Sequence, residues 1–358
     1  MSEAWIESSP PPIKKDRGGI VLLLTVLVLV VLGLLSWILT GPRLGKRRPE
    51  PPEAPFIPKT AIVVLGEKFE IGTPVVLWND RIGYDAYSTR CRFVDRELPG
   101  SAENPPKPGA SPYRYGQRSP SGRGTWVQRV KEKGWDLKAL QEQVRMFVVH
   151  YDAVGTSERC FRALHDIRGL SVQFMLDLDG TIYQTLDAKE RAFHAGDVND
   201  VSVGVEIANL GVRSGYDKKE FDAWYFAEGD SIVIRPPADA RPGRRRIRDF
   251  VARPARFEAI EGLVQRSRFL QWDFTDAQYE ALAKLAAGLS RVFPRIKLEA
   301  PRDSDGSVTT VVLPETRRRS FEGVVGHYHV SADKYDPGPA FDWKRFLAAA
   351  RAAAKTSR

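Results

Sequence analysis

The chain has 358 residues and a net charge of +9, enough length for one large domain or two small ones. The positive balance favours acidic partners such as nucleic acid, anionic lipid or an anionic cell-wall polymer, and does not choose among them. Two cysteines, Cys91 and Cys160, exclude a disulfide framework and any cysteine-rich zinc module, although they leave room for one bridge in an exported protein.

Residues 1–19 are polar and proline-rich and are expected to be a disordered tail. Residues 20–40 (IVLLLTVLVLVVLGLLSWILT) are continuously apolar and carry no charge. A helix rising about 1.5 Å per residue over this run spans roughly 30 Å, the thickness of a bilayer's hydrocarbon core. A cleaved signal peptide has a shorter apolar core, and no small-x-small cleavage pattern precedes Arg43. One uncleaved transmembrane helix is therefore expected, with Trp37 as an interfacial anchor. Lys14, Lys15 and Arg17 precede it, and Arg43, Lys46, Arg47 and Arg48 follow it, so the charge rule leans toward a cytoplasmic C-terminal part. The linker at 41–58 ends in the proline-rich spacer PEPPEAPFIP.

Residues 59–134 read as an N-terminal extension, either a small β subdomain or a decoration of the main one. Within it, 61–65 and 73–78 have strand character, and 99–124 is loop-like in its proline, glycine and serine content. From 135 to 354 the pattern is α/β. A short helix is expected at 137–144 and a buried strand at 146–150 (MFVVH). A helix follows at 157–167, with Ser157 as N-cap. Strands at 172–178 and 181–186 flank Asp179-Gly180, a two-residue hairpin signal. Another strand, 201–208 (VSVGVEIA), carries one glutamate in an apolar context. Residues 211–272 break the pattern as a basic insertion with Arg241, Arg244, Arg245, Arg246, Arg248 and Arg253. Thr275 and Gln278 form a capping box for a helix over 275–292, with Phe274 stapled to Tyr279. A short strand at 323–326 and a closing helix at 341–353 complete the expected mixed central β-sheet flanked by helices.

Of the five histidines, His150 and His327 stand at the C-terminal ends of expected strands, where open α/β sheets place their sites. His327 belongs to the run GHYHVSADKYDPG at 326–338, which also supplies Lys334 and Asp336. A catalytic zinc site uses three nitrogen or oxygen ligands and an open position for water. His150, His327 and Asp336 provide such a set. Glu206 on its apolar strand is the candidate to take the water's proton, because an unpaired carboxylate there is otherwise costly. Lys334 is the candidate to stabilise a developing oxyanion.

Several pieces occur in one order: FVVH at 147–150, DGTIYQ at 179–184, RAFHAG at 191–196, SVGVEI at 202–207, QYEAL at 278–282, VGH at 325–327 and KYDPGP at 334–339. In this order they resemble the zinc-dependent N-acetylmuramoyl-L-alanine amidase family, which includes phage amidase lysozymes and peptidoglycan recognition proteins. The resemblance covers roughly 145–350. It implies zinc held by His150, His327 and Asp336, catalysis by Glu206 and Lys334, and a substrate groove lined by His194. It further implies a peptidoglycan or muropeptide substrate and no nucleic-acid partner. His329 stands where the family often has aspartate and competes with His327 as a ligand, His327 being preferred. Val172-Gln173-Phe174 replaces an aromatic-histidine pair common in the family.

Two other readings compete with a zinc amidase. One is a peptidoglycan receptor on the same fold that does not hydrolyse; such relatives often lack a zinc ligand, and here all three are present. The other is a hydrolase with Cys160 as nucleophile and His165 as base. These lie five residues apart on one expected helix, where facing neighbours are three or four apart. The substrate argues for an inner-membrane protein with its C-terminal domain outside, against the charge rule. A cytoplasmic domain acting on recycled muropeptides satisfies that rule.

Overall fold

Valine-rich runs bounded by turn residues become the strands of one sheet, in a computed structural model that describes residues 57–93, 114–122, 124–215, 218–240 and 250–356. In chain order the elements are β1 (Lys59–Val64), β2 (Glu67–Leu77), β3 (Tyr115–Gly116), α1 (Thr125–Lys133), α2 (Leu137–Gln143), β4 (Met146–Tyr151) and α3 (Ser157–Phe161). There follow β5 (Phe174–Leu176), β6 (Ile182–Gln184), β7 (Arg191–Ala192), β8 (Ser202–Ile207), α4 (Lys219–Asp222), β9 (Tyr225–Glu228) and β10 (Ser231–Ile234). The last are β11 (Ile260–Val264), β12 (Ser267–Gln271), α5 (Asp276–Val292), α6 (Glu315–Ser320), β13 (Gly323–Gly326), α7 (His327–Val330) and α8 (Trp343–Thr356).

The central sheet has seven strands in the order β1-β2-β6-β5-β8-β4-β13. Strands β5, β8, β4 and β13 run parallel, and β6 is antiparallel to β5. The β1–β2 hairpin joins through parallel pairing of β2 with β6. The stretch beginning at 59 is thus part of the main sheet and not a separate β subdomain, because β2 completes the hydrogen bonds that β6 would otherwise leave open.

Side-chain parity divides the sheet into two faces. Val203, Val205, Phe147, Val149, Phe174 and Leu176 point into the core made with α5 and α8, where Leu282, Leu285, Leu289 and Phe346 lie. Alternate residues face the other way. Met175 packs there with Phe161 and Leu164 of α3 and its continuation, and Met146 and Val148 pack with Val198 and Val330. His150 and Glu206 share the parity of Val148 and Gly204, so they emerge on the face away from α5.

Local expectations are met in part. Thr275 Oγ1 accepts from Gln278 N at 3.1 Å, and Gln278 Oε1 accepts from Thr275 N at 2.9 Å, which closes the capping box. The Phe274 and Tyr279 rings pack edge to face at 6.0 Å. The cap of α3 is Thr156 and not Ser157, since its side chain accepts from Arg159 N. The helix then widens into a π-helical stretch, Arg162–Arg168, that ends at Gly169 with φ of 70°. The β5–β6 turn centres on Leu178-Asp179: Gly180 N donates to Asp177 O at 3.0 Å, and Gly180 takes the left-handed φ of 82°. That conformation suits glycine. The helix begins the turn's neighbour so closely that a Cβ at Gly180 would stand 2.8 Å from Ala277 O.

The closing helix starts at Trp343, after Phe341. The insertion holds two hairpins, β9–β10 and β11–β12. Phe221, Trp224, Ile234 and Ala252 give it an apolar cluster shared with Leu178 and Leu210. The tail, the apolar run at 20–40, the linker up to 56 and the arginines from 241 to 248 lie outside the described residues. Among the described residues no helix is long and apolar enough to cross a membrane.

Thr275 Oγ1 also donates to Leu178 O at 2.7 Å, tying the start of α5 to the β5–β6 turn. Thr275→Ala is expected to lower stability by about 1–2 kcal/mol, from a lost cap and an unpaired carbonyl. A lower denaturant midpoint with an unchanged slope is the measurement that checks it.

Candidate metal centre

Three separate pieces of backbone build the site. β4 delivers His150 at its C-terminal end, and the neighbouring parallel strand β13 runs directly into α7, whose first residue is His327. The chain then folds back. Tyr328 N donates to Asp336 O at 3.1 Å, and Gly326 packs so tightly on the returning chain that a Cβ there would stand 2.6 Å from Pro337 Cδ. The fold-back lays Asp336 over both histidines.

Hairpin β11–β12 fixes this loop from outside. Gln271 Nε2 donates to Pro337 O at 3.0 Å, and Gln271 Oε1 accepts from Ala340 N at 3.0 Å. Gln265, at the hairpin turn, donates to Tyr328 O at 2.8 Å and to Ser331 O at 3.0 Å. The insertion therefore includes the clamp on the loop that carries two of the three ligand candidates.

His150 Nδ1 lies 2.7 Å from Asp336 Oδ2 and 3.1 Å from His327 Nδ1, and His327 Nδ1 lies 3.1 Å from the same carboxylate oxygen. These three groups offer ligand atoms that all lie within 4.8 Å of one another. Burial lowers the pKa of His150, and the neighbouring His327 adds to the effect. Burial alone would raise Asp336, but the charge of His327 and the hydrogen bonds from both rings hold it below the usual carboxylate range. Two imidazoles and one carboxylate converging on one point are a donor set suited to a divalent ion with a position left for water.

Glu206 pairs in register with His150 across β8 and β4. The residue is half-buried, and its Oε2 is buried with no hydrogen-bond partner. Burial raises its pKa well above the ordinary value, and Asp336 and Asp152 push the same way. Lys334 lies on the fold-back loop with its Nζ 3.4 Å from Asp333 Oδ2, its side chain partly exposed. His150, Glu206, His194, His327, Lys334 and Asp336 all line a single cavity of about 1090 Å³.

The other histidines separate cleanly. His194 borders the cavity, and its Nδ1 lies 3.0 Å from His150 Nε2. His329 turns away from the cluster. Its Nδ1 accepts from Gly326 N at 2.9 Å and its Nε2 donates to Thr309 O at 2.7 Å, so neither nitrogen is free for a metal. His165 pairs with Asp166 at 2.8 Å and reaches Ser88 O, holding the segment before 94. Burial pushes the Cys160 thiol well up, and its helix neighbour His165 is committed to Asp166, so the pair does not form a nucleophile and base. Cys91 and Cys160 are not bonded to each other.

The cavity also holds residues that sequence reading passed over. Asp152 Oδ1 accepts from Val154, Gly155 and Asn209 N–H groups, yet burial pushes its pKa up to about 7. Arg168 and Arg318 line the same cavity, Arg318 paired with Asp197 at 2.9 Å. Asp152 reads in sequence as an ordinary turn residue after a strand, and the arginines as solvated charges. Only their nearness to His150 in space marks them.

Fold and site together define an α/β protein with a His-His-Asp cluster, of a kind suited to a divalent ion, gathered beside the carboxyl ends of parallel strands. Residues 140–226 match the family described as N-acetylmuramoyl-L-alanine amidase. The chain is similar to a selenomethionine derivative of AmpD at 19% identity and a TM-score of 0.30, covering 66% of this chain and 89% of that one. It is similar to the Escherichia coli amidase AmiD, solved with anhydro-N-acetylmuramic acid-L-Ala-D-gamma-Glu-L-Lys, at 17% identity and a TM-score of 0.33, covering 58% of this chain and 57% of that one. Staphylococcus aureus AmiA is similar at 12% identity and a TM-score of 0.32, covering 68% and 96%. No curated protein matches the chain.

Burial depresses His329 from an ordinary 6.5 to about 3. The unfolded chain thus takes up a proton near 6.5 that the folded chain refuses until about 3, and stability present above the higher value is lost as pH falls between them. In denaturant titrations from pH 7 to pH 4, His329→Gln is expected to flatten this acid loss relative to the parent chain, whatever its stability at pH 7.

Proposed function

We propose that the chain is a zinc-dependent N-acetylmuramoyl-L-alanine amidase that hydrolyses the amide between the lactyl group of N-acetylmuramic acid and L-alanine. The family match supports the reaction class. The observation that carries the reading is Glu206: a carboxylate with one buried, unpaired oxygen, aligned across two strands with His150, on the cavity where His327 and Asp336 meet.

His150, His327 and Asp336 would hold the ion. Bound there, a zinc ion lowers the pKa of a coordinated water and polarises a carbonyl oxygen. Glu206 takes a proton from the attacking water as the new C–O bond forms. It returns that proton to the amide nitrogen as the C–N bond breaks, releasing a carboxylate and the peptide's amino group. Lys334, on the cavity wall, offers its ammonium to the oxygen that gains negative charge. His194 lines the wall on the far side of His150 and bounds the groove for the glycan-peptide junction.

The substrate class is peptidoglycan or a muropeptide derived from it. Such a polymer lies outside the inner membrane, and residues 20–40 have the length and composition to anchor the domain there. We place the catalytic domain on the periplasmic or extracellular side.

Glu206→Ala is expected to lower turnover of purified cell wall by about 10²–10⁴-fold while leaving stoichiometric zinc in place. Chelation should abolish peptide release in the parent chain, and added zinc should restore it. Wall binding without any released peptide in the zinc-loaded parent would instead establish a receptor. Protease added to spheroplasts is expected to degrade the C-terminal domain; its protection until the membrane is lysed would place the domain in the cytoplasm.

A further inference from the structure

His150 presents Nδ1 to Asp336 and His327, and its Nε2 faces away from them. That second nitrogen begins a chain of contacts whose direction the backbone fixes. Val198 O accepts from Ser202 Oγ at 2.8 Å. A carbonyl cannot donate, so the Ser202 hydroxyl proton is committed to it. Ser202 Oγ then meets His194 Nε2, at 3.3 Å, as the acceptor, which puts the His194 proton on Nε2. His194 Nδ1 is left bare, and at 3.0 Å it accepts a hydrogen bond from the Nε2–H of His150. With a divalent ion in place, His150 would accordingly keep its proton on Nε2 and give the lone pair of Nδ1 to the cluster, where without the ion Nδ1 meets Asp336 Oδ2 at 2.7 Å.

The rest of the loop is arranged around this contact. Asn199 Oδ1 accepts from His194 N at 3.2 Å and from Ala195 N at 2.7 Å, pinning the backbone that carries the ring. The ring lies flat enough on β8 that a Cβ at Gly204 would stand 2.6 Å from both Cε1 and Nδ1. Any other residue at 204 would push His194 off His150. Ser202, Asn199 and His150 are buried, so water does not compete for these bonds.

We propose that His194 and Ser202 are positioning residues: polarised by the Val198 carbonyl, they hold His150 in the one tautomer that can ligate a metal through Nδ1. This gives His194 a task beyond bounding the groove and gives Ser202 a task that the sequence does not suggest. The inference rests on the reading that His150, His327 and Asp336 bind a divalent ion. It goes beyond that reading in saying which nitrogen binds and what chooses it. Partners of this kind, one layer behind a metal ligand, change metal affinity by about 10–100-fold when removed.

The test uses the full-length chain with zinc. Nitrogen-15 histidine spectra of the loaded parent are expected to show His150 protonated at Nε2 and metal-bound through Nδ1. Chelator competition should show Ser202→Ala and His194→Phe weakening zinc binding about 10–100-fold, with the Nε2 proton of His150 exchanging faster in Ser202→Ala. Zinc bound through Nε2 of His150 in the parent would overturn the proposal, even if neither variant folds. Affinity within twofold of the parent in both folded variants would overturn it as well. A parent chain that binds no zinc would overturn the metal-centre reading itself.

Discussion

One carboxylate oxygen touching two imidazole nitrogens is the contact around which this domain closes. Asp336 Oδ2 lies 2.7 Å from His150 and 3.1 Å from His327, in a place where the carboxylate is nearly shielded from water. Gathering three polar groups there is unfavourable unless something compensates their lost hydration. In the structure they compensate one another, and a divalent ion would do so more completely. The surrounding architecture follows from that requirement. Two neighbouring parallel strands must end side by side, and the chain after the second must double back within ten residues.

The doubling back does not stand alone. Gln271 and Gln265 satisfy the backbone carbonyls of Pro337, Tyr328 and Ser331, which point outward from the returning loop. Trp343 Nε1 donates to Tyr328 Oη at 2.8 Å and ties the same loop to α8. A loop held at both sides fixes where His327 and Asp336 stand relative to His150. This gives the long segment between β8 and α5 a structural purpose: its second hairpin is a brace for the centre.

Much of this was legible in the order of residues, and the boundary between what was and was not has a physical cause. Local signals held where the interaction is local. Thr275 and Gln278 are three residues apart and cap one turn, so their pairing is visible in sequence. Strand-end histidines at 150 and 327 could be singled out because buried parallel strands read as continuous apolar runs. The β1–β2 hairpin could not be assigned to the main sheet, since its pairing with β6 joins residues more than a hundred positions apart. The widening of α3 into a π-helical stretch left no trace in its periodicity. Thr156 and Ser157 are both good caps, and only backbone geometry separates them. Asp152, Ser202 and the two cavity arginines are commonplace residues made special by neighbours that the chain brings from elsewhere.

Glu206 shows how the cost of an unpaired buried group is distributed. A buried carboxylate oxygen without a partner destabilises a fold, and replacing the group by an apolar one would be expected to relieve that burden. The strand around it gives no structural reason for the charge: Val203, Val205 and Ile207 fill the core on the opposite face, and Met175 on the neighbouring strand would pack equally well against an aliphatic side chain. The sheet absorbs the penalty because α5 and α8 bury an uninterrupted apolar face behind it. A destabilised group is tolerated where a well-packed layer lies one side chain away, and that adjacency lets the unpaired carboxylate stand on a strand instead of on a loop. A strand fixes its distance to His150 by the sheet's own hydrogen bonds, which no loop of comparable length would do.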